Sequence, residues 1–241
     1  NVLFHDDGFR GVVIRMHSLG GFDLSENGSD FAKVTVGAGI PLQAVISRTA
    51  RLAWTGTEDL WGIPGSFGGA IATNAGSGHT SMGPLLQSIR AINGRGEEVL
   101  MSRGDFAYGY RSMDLPIDTV VLEGTIVLQR SNPTITQARL EKARLRRASQ
   151  PIGRFSAGCV FKNPAPGRSA GALIDRLGLK GTTIGDAQVS EVHANFIINR
   201  GSAKATDVLQ LIEKIRERVK AEENIDLEAE IQVVGAEPKD D

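Results

Sequence analysis

The stretch GIPGSFGGAIATNAG, residues 62–76, restricts this chain more than any other. Its glycines, at positions 62, 65, 68, 69 and 76, disfavour the interior of a long helix or strand. They do let the main chain turn sharply and approach a neighbour or a ligand closely. Such a segment suits a cradle in which backbone N–H groups hold a diphosphate. It is neither G-x-x-x-x-G-K-[ST] nor a G-x-G-x-x-G that opens a helix after a strand, so it is not one of the usual nucleotide loops. A set of tight turns inside a β domain accounts for it equally well.

The sequence before and after this segment is unlike in character. In the first half, Gly11–Arg15 and Lys33–Val36 are short β-branched runs that read as strands, and VTVGAGIPLQAVISRTARL reads as strand, glycine turn and helix with Pro41 at the first helical position. SIRAINGRGEEVLMS has the composition of a hairpin turning at Asn93-Gly94, and DTVVLEGTIVLQR reads as a longer strand broken at Gly124. After Asn132-Pro133 the pattern becomes helical. TITQARLEKARLRRASQ is a basic helix ended before Pro151, and a short helix over 169–177 is terminated by Gly178. ANFIIN is strand-like, and in TDVLQLIEKIRERV the residues Val208, Leu211, Ile212, Ile215 and Val219 share one face of a long helix. DLEAEIQVVG reads as a final strand. The fold class is α+β, in two lobes divided near residues 133–151.

Composition narrows the function. A chain of 241 residues buries roughly 70–75% of its unfolded surface and can hold one large core or two modest ones. A net charge of −1 argues against nucleic acid, and no long apolar run argues for a membrane span. A small polar ligand fits better. The single cysteine cannot form an internal disulfide and suits a reducing compartment, so the expected location is the cytoplasm. The opening NVLFHDDGFRGVVIRM lacks an initiator methionine and a signal peptide, and is expected to start in mid-domain. The tail, Glu237–Asp241, reads as unstructured.

Four local features could carry chemistry. Cys159 lies in GRFSAGCVFKNP; most unpaired cysteines are small buried hydrophobes, but Gly158 suggests a turn, and Arg154 and Lys162 could favour a thiolate or a bound anion. LEAEIQ places Glu228, Glu230 and Gln232 on one face of a strand, which by itself is most simply a solvated edge. In YGYRSM, Arg111 serves either a surface ion pair or an anion clamp. His193 has no second His or Cys at metal-ligand spacing, so no metal is assigned.

Taken in order, NVLF with GFRGVVI, GIPGSFGGAIATNAG, YGYRS, SAGCVFKNP, GLKGTTIGDAQVSEVHANFIIN and LEAEIQVVG resemble the UDP-N-acetylenolpyruvoylglucosamine reductases, flavoenzymes of peptidoglycan precursor synthesis. The resemblance spans almost the whole chain. The short interval from Arg111 to Cys159 is similar to that of the compact type of the family, and Ala229 stands where the family often has proline. The resemblance implies a main FAD-binding lobe of the vanillyl-alcohol-oxidase-like type over 15–150 and a smaller α/β substrate-binding lobe over 151–225. Residues 1–14 and 226–241 would be what remains of a first FAD-binding domain, whose earlier part is missing.

The resemblance further implies that NADPH reduces FAD and that UDP-N-acetylglucosamine enolpyruvate is then reduced to UDP-N-acetylmuramate. Arg111 would be the cation at the substrate carboxylate, Glu230 the acid at that oxygen, and Cys159 the proton donor in the place of a serine found in many members. Asn1, Ile63, Pro64, Gly65, Ser66, Gly68, Gly69 and Asn74 would contact FAD, and Tyr110, Lys162, Asn163 and Gln188 the substrate. A monomer is implied, with neither nucleic acid nor membrane as partner. Two other expectations are a non-catalytic UDP-sugar-binding remnant and a flavin oxidoreductase of the same superfold acting on another substrate.

Overall fold

In FAKVTVG, residues 31–37, small and β-branched residues alternate with Lys33 and Thr35, and the strand they form buries Ala32, Val34 and Val36 completely. The period of two that sets this face is a property of the pleat. The computed structural model describes residues 1–77, 80–151 and 154–235; the tail Glu237–Asp241, expected to be unstructured, lies outside them. The chain divides into two units, Ile14–Arg147 and Asn1–Val13 with Ala148 onward.

In the first unit, Phe31–Gly37 lies between Phe22–Asn27 and the long strand Val120–Arg130, and Leu86–Ile92 and Glu98–Ser102 extend the sheet beyond it. All these pairings are antiparallel, and Trp54–Thr55 joins the far end of Val120–Arg130. The helix Leu42–Arg51 follows Pro41, which caps it rather than occupying its first turn. Phe67–Ala72 and Pro133–Arg147 are the other main helices of this unit.

Three expectations are corrected here. Gly11–Arg15 forms no strand, and Val12, Val13 and Ile14 are exposed; β-branched residues fit a pleated surface only where a neighbouring strand and a buried face exist. The turn between Leu86–Ile92 and Glu98–Ser102 is longer than Asn93-Gly94. Asn93 Oδ1 accepts from the N–H groups of Arg95 at 2.9 Å and Glu97 at 3.0 Å, and Gly96, not Gly94, takes the left-handed conformation at φ 79°. Finally, pairing with Phe31–Gly37 runs unbroken through Gly124. A Cβ there would lie 2.5 Å from Ile71 Cδ1 and 3.1 Å from Phe67 Cε1, so the glycine admits a helix against the strand rather than ending it.

In the second unit, four antiparallel strands run in the order Ser156–Cys159, Phe196–Asn199, Ala187–Val189, Thr183–Ile184. The helix Ala205–Glu223 buries Leu211, Ile212, Ile215 and Val219, four of the five residues of the expected face, and the fifth, Val208, is half-buried against the same core. Ser169 caps Ala170–Arg176 by accepting from Ala172 N–H at 3.3 Å, and Gly178 follows in the left-handed conformation at φ 68°. The expected last strand is shorter than DLEAEIQVVG. Ala229 makes a single bridge to Phe161, and only Gln232–Val234 is a strand, parallel to Val2–Phe4. The segment changes partner midway, which interrupts its ladder.

Asp6 joins residues 1–13 to this unit. Its Oδ1 accepts from Ala205 N–H at 2.6 Å, and its Oδ2 from Thr206 N–H at 3.0 Å and Thr206 Oγ at 2.5 Å, so a carboxylate caps a helix N-terminus and meets its dipole. The Thr206 hydroxyl, then the Thr206 and Ala205 N–H groups, hold this carboxyl below its usual 3.8. A depressed folded-state pKa adds stability that is complete above the unfolded value and disappears as pH falls through the folded one. Asp6→Ala is therefore expected to lower stability near neutrality, and the gap from the parent chain should close as the pH drops below about 4. Chemical denaturation across that range checks it; a constant gap would show that the carboxylate charge does not matter.

Candidate active site

The glycine-rich segment is shaped by partners from three directions. Gly62 N–H donates to Gln43 Oε1 at 3.1 Å while Gln43 Nε2 donates to Ile63 C=O at 3.0 Å, so one carboxamide reads both groups of a turn. Leu42 N–H donates to Gly65 C=O, Phe67 N–H to Ile40 C=O and Gly68 N–H to Ala38 C=O, at 3.0, 2.8 and 2.9 Å. A Cβ on Gly68 would lie 2.5 Å from Ala38 Cβ, which explains why glycine stands there. Ser66 caps Phe67–Ala72, its Oγ accepting from Gly69 N–H at 3.2 Å.

Two consecutive donors remain. Among the described residues the N–H groups of Gly65 and Ser66 meet no acceptor, and a Cβ on Gly65, at φ 107°, would meet nothing within 4 Å. Adjacent N–H groups on an open turn ahead of a capped helix are what a phosphate-bearing cofactor requires. The residues present fit such a group. Pro64 and Gly65 are exposed, and Ile63 is half-buried.

The segment ends at a second junction. Asn74, buried and left-handed at φ 42°, accepts Gly83 N–H on Oδ1 at 2.8 Å and donates from Nδ2 to Gly109 C=O at 2.7 Å. Arg111, at φ 55° in the turn between Ala107–Gly109 and Ser112–Asp114, donates from Nη1 to Gly76 C=O at 2.6 Å. Its guanidinium lies 5.6 Å from the ring centre of Tyr110, which is exposed. Left-handed non-glycine residues cost of order 1–3 kcal/mol and concentrate at functional sites. Arg111 and Asn74 thus meet at the hairpin and the glycine-rich segment, in one unit.

The other chemical residues lie in the second unit. Glu230 N–H donates to Val160 C=O at 2.7 Å and Lys162 N–H to Glu228 C=O at 2.8 Å, which sets LEAEIQ alongside the chain that follows Cys159. Asn1 Nδ2 donates to Cys159 C=O at 3.0 Å, and Asn1 C=O accepts Gln232 N–H at 2.8 Å. Asn1, Cys159 and Glu230, far apart in sequence, are therefore joined through backbone groups. Cys159 and Glu230 are half-buried. Gly158, at φ 84°, would bring a Cβ to 3.3 Å from Asn1 Oδ1; in place of the expected turn it sits inside the strand Ser156–Cys159, where the pairing with Phe196–Asn199 shifts register.

Other predicted contacts have structural partners. Lys162 Nζ lies 2.5 Å from Glu228 Oε1, Asn163 Oδ1 accepts Ala170 N–H at 3.1 Å, and Gln188 Nε2 donates to Gly181 C=O at 3.3 Å. The sequence reading overlooked Gln43 and Asn195. Gln43 sits two residues after a proline at a helix start, and Asn195 precedes an apolar strand; neither position announces a side chain that will staple a distant backbone. Among the described residues no group of three His, Cys, Asp or Glu side chains could hold a metal ion, and no helix is long and apolar enough to cross a membrane.

Comparison with known proteins bears on the whole chain. Residues 150–234 match the C-terminal domain of UDP-N-acetylenolpyruvoylglucosamine reductase, and residues 1–102 match an FAD binding domain. A protein of Syntrophobacter fumaroxidans named UDP-N-acetylenolpyruvoylglucosamine reductase is 41% identical over 98% of this chain and 69% of its own length. One of the same name from Desulfosudis oleivorans is 38% identical over 98% of this chain and 78% of its own. The crystal structure of UDP-N-acetylenolpyruvylglucosamine reductase from Thermus caldophilus superposes with a TM-score of 0.77 at 38% identity, covering 83% of this chain and 72% of that one.

The Asn74 staple yields a direct test. Asn74→Ala removes the partners of Gly83 N–H, which is buried, and of Gly109 C=O, which water can reach, and the orphaned buried N–H costs about 1–3 kcal/mol. The variant should melt several degrees lower in a thermal scan, and an unchanged Tm would mean that the hairpin is held by other contacts.

Proposed function

Since the chain belongs to the UDP-N-acetylenolpyruvoylglucosamine reductase family, we propose the chemistry of its site on that footing. The protein is an FAD-dependent oxidoreductase that takes reducing equivalents from NADPH and converts UDP-N-acetylglucosamine enolpyruvate to UDP-N-acetylmuramate, a step of peptidoglycan precursor synthesis. Bound FAD supplies the hydride relay between NADPH and the enolpyruvyl ether. The remaining requirements fall on the protein: hold the diphosphates, neutralise the charge that develops on the substrate, and deliver a proton.

We assign the Gly65 and Ser66 N–H groups to the cofactor's phosphates, with Asn1, Ile63, Pro64, Gly68, Gly69 and Asn74 completing or supporting the FAD site. Residues 15–150 form the main FAD-binding domain, 151–225 the substrate-binding domain, and 1–14 with 226–241 belong to the first FAD-binding domain. Tyr110, Lys162, Asn163 and Gln188 are the substrate contacts; Lys162 would share its charge between Glu228 and a diphosphate. The site acts in a monomer in the cytoplasm, with neither nucleic acid nor membrane as partner; the net charge of −1 supports the part that concerns nucleic acid.

Hydride arriving at the vinyl carbon pushes electron density onto the adjacent carbon and the conjugated carboxylate. A fixed cation at that carboxylate stabilises the developing charge more than it stabilises the substrate, which is the condition for catalysis. Arg111 fills this role, and Glu230 acts as the acid at the same oxygen. Cys159 donates its proton to the carbon, leaving a thiolate that solvent reprotonates before the next turnover. An ordinary thiol, with a pKa near ~8.5, is mostly protonated at neutral pH and is a stronger acid than a serine hydroxyl.

The observation that carries this reading is the pair of backbone hydrogen bonds that sets Glu228 and Glu230 beside the chain following Cys159. It joins the backbone of Glu230 to the residue after Cys159, which supports pairing the two as acid and proton donor. Cys159→Ala is expected to leave bleaching of the flavin absorption by NADPH intact and to slow the return of that absorption on adding substrate by about 10²–10⁴-fold. Cys159→Ser should restore most of the rate. Anaerobic stopped-flow absorbance reads both steps, and normal turnover in Cys159→Ala would rule out the proton-donor role.

A further inference from the structure

Val160 and Phe161 are almost fully buried, at 2% and 1% exposure, so each of their peptide groups needs a partner inside the protein. One edge of this short extended segment is satisfied by the chain at 228–230, through Val160 C=O and Lys162 N–H. On the other edge the strand Phe196–Asn199 pairs no further along than Cys159. Beyond that point a single residue takes the strand's place. Asn195 C=O accepts Val160 N–H at 2.9 Å, its Oδ1 accepts Phe161 N–H at 2.9 Å, and its Nδ2 donates to Phe161 C=O at 2.8 Å.

We propose that Asn195 is a positioning residue of the reductase site, fixing Cys159 and Glu230 together through the backbone of Val160 and Phe161. The assignment rests on the roles given above to those two residues. Cys159 precedes Val160 directly, and Glu230 hangs from Val160 C=O at 2.7 Å, so a shift of the segment moves both. Asn195 is itself held: it is 4% exposed, and its N–H donates to His193 Nδ1 at 3.2 Å. The His193 ring in turn meets Phe196 edge-on at 5.0 Å between centroids. Asparagine suits the position because it offers one donor and one acceptor at the spacing of a peptide group. Aspartate keeps the acceptor but turns the second oxygen toward a carbonyl, and alanine leaves both groups of Phe161 buried without partners.

The single cysteine makes this readable apart from turnover. The full chain, with and without FAD, would be treated with iodoacetamide and followed by intact mass, and the NADPH and substrate steps measured separately. The variants are Asn195→Ala, Asn195→Asp and, as a comparator destabilised in the same core, Leu211→Ala. Both Asn195 variants are expected to alkylate Cys159 about ten-fold faster and to lose on the order of 10²-fold in the substrate step, with the NADPH step unchanged. Should Asn195→Ala fail to fold, Asn195→Asp, the smaller change, carries the test. The proposal is overturned if Asn195→Asp alkylates and turns over as the parent does, or if Leu211→Ala at equal loss of Tm changes both readouts as much. Faster alkylation in the Asn195 variants combined with normal turnover of Cys159→Ala would remove the proton-donor role and leave the positioning role standing.

Discussion

The site depends on one constraint: main chain that leaves a regular ladder must still satisfy its N–H and C=O groups when buried. Three side-chain amides meet it. Gln43 serves Gly62 and Ile63, Asn74 serves Gly83 and Gly109, and Asn195 serves both groups of Phe161. Each offers a donor and an acceptor about as far apart as those of a peptide, so each stands in for a main-chain partner that is absent there. Net hydrogen-bond strengths of about 1 kcal/mol make these staples modest in isolation. Removal is the costly direction, most of all at Asn195, where two buried groups are orphaned at once against a total stability of about 5–15 kcal/mol.

Close approach is the complementary device. Gly68 lets the start of Phe67–Ala72 sit against Ala38, Gly83 leaves room for the Tyr108 ring, and Gly124 admits Ile71 and Phe67 onto the long strand. These glycines do not take the left-handed conformation; what they supply is the absence of a Cβ. The left-handed positions that matter for chemistry fall instead on Asn74 and Arg111. Both carry side chains that hydrogen-bond to nearby backbone, an interaction that offsets the strain of the conformation. Glycine would relax the turn at Arg111 and remove the guanidinium.

Much of this was legible in the sequence where a period is repeated. Alternation marked the Phe31–Gly37 strand, and the five apolar residues of TDVLQLIEKIRERV marked the face that Ala205–Glu223 buries. Gly158 before Cys159 marked an irregularity of the backbone, which is a register shift within a strand and not the expected turn. What failed was local propensity without a partner: Val12, Val13 and Ile14 favour a strand, but no strand pairs with them among the described residues. The staples were illegible for a different reason. A carboxamide at position 195 that binds residue 161 leaves no local pattern, because both its partners belong to another part of the chain. The roles of Arg111, Glu230 and Cys159 came from resemblance; local pattern alone favoured a solvated edge for Glu230 and a small hydrophobe for Cys159, and left Arg111 undecided between a surface ion pair and an anion clamp.

The role proposed for Cys159 requires that it be both reached by a substrate and fixed in place, and the same reasoning accounts for the fixing. Its strand ends there, and the bond from Asn1 Nδ2 holds the Cys159 carbonyl. The next two residues are buried and stapled. Cys159 therefore lies where the strand Ser156–Cys159 meets a buried, stapled pair, and that anchor determines its position. The proposed proton donor would need both: partial exposure would let a thiolate recover its proton from water, while a displacement of about 1 Å can cost 10²-fold in rate. Asn1 in turn is placed by the parallel pairing of Val2–Phe4 with Gln232–Val234 and by the Asp6 cap on Ala205–Glu223. Residues 1–13 thus act on the site through two routes, one of them a carboxylate whose hold weakens in acid. Loss of that cap would loosen the Asn1 side of Cys159 while leaving the Asn195 side intact.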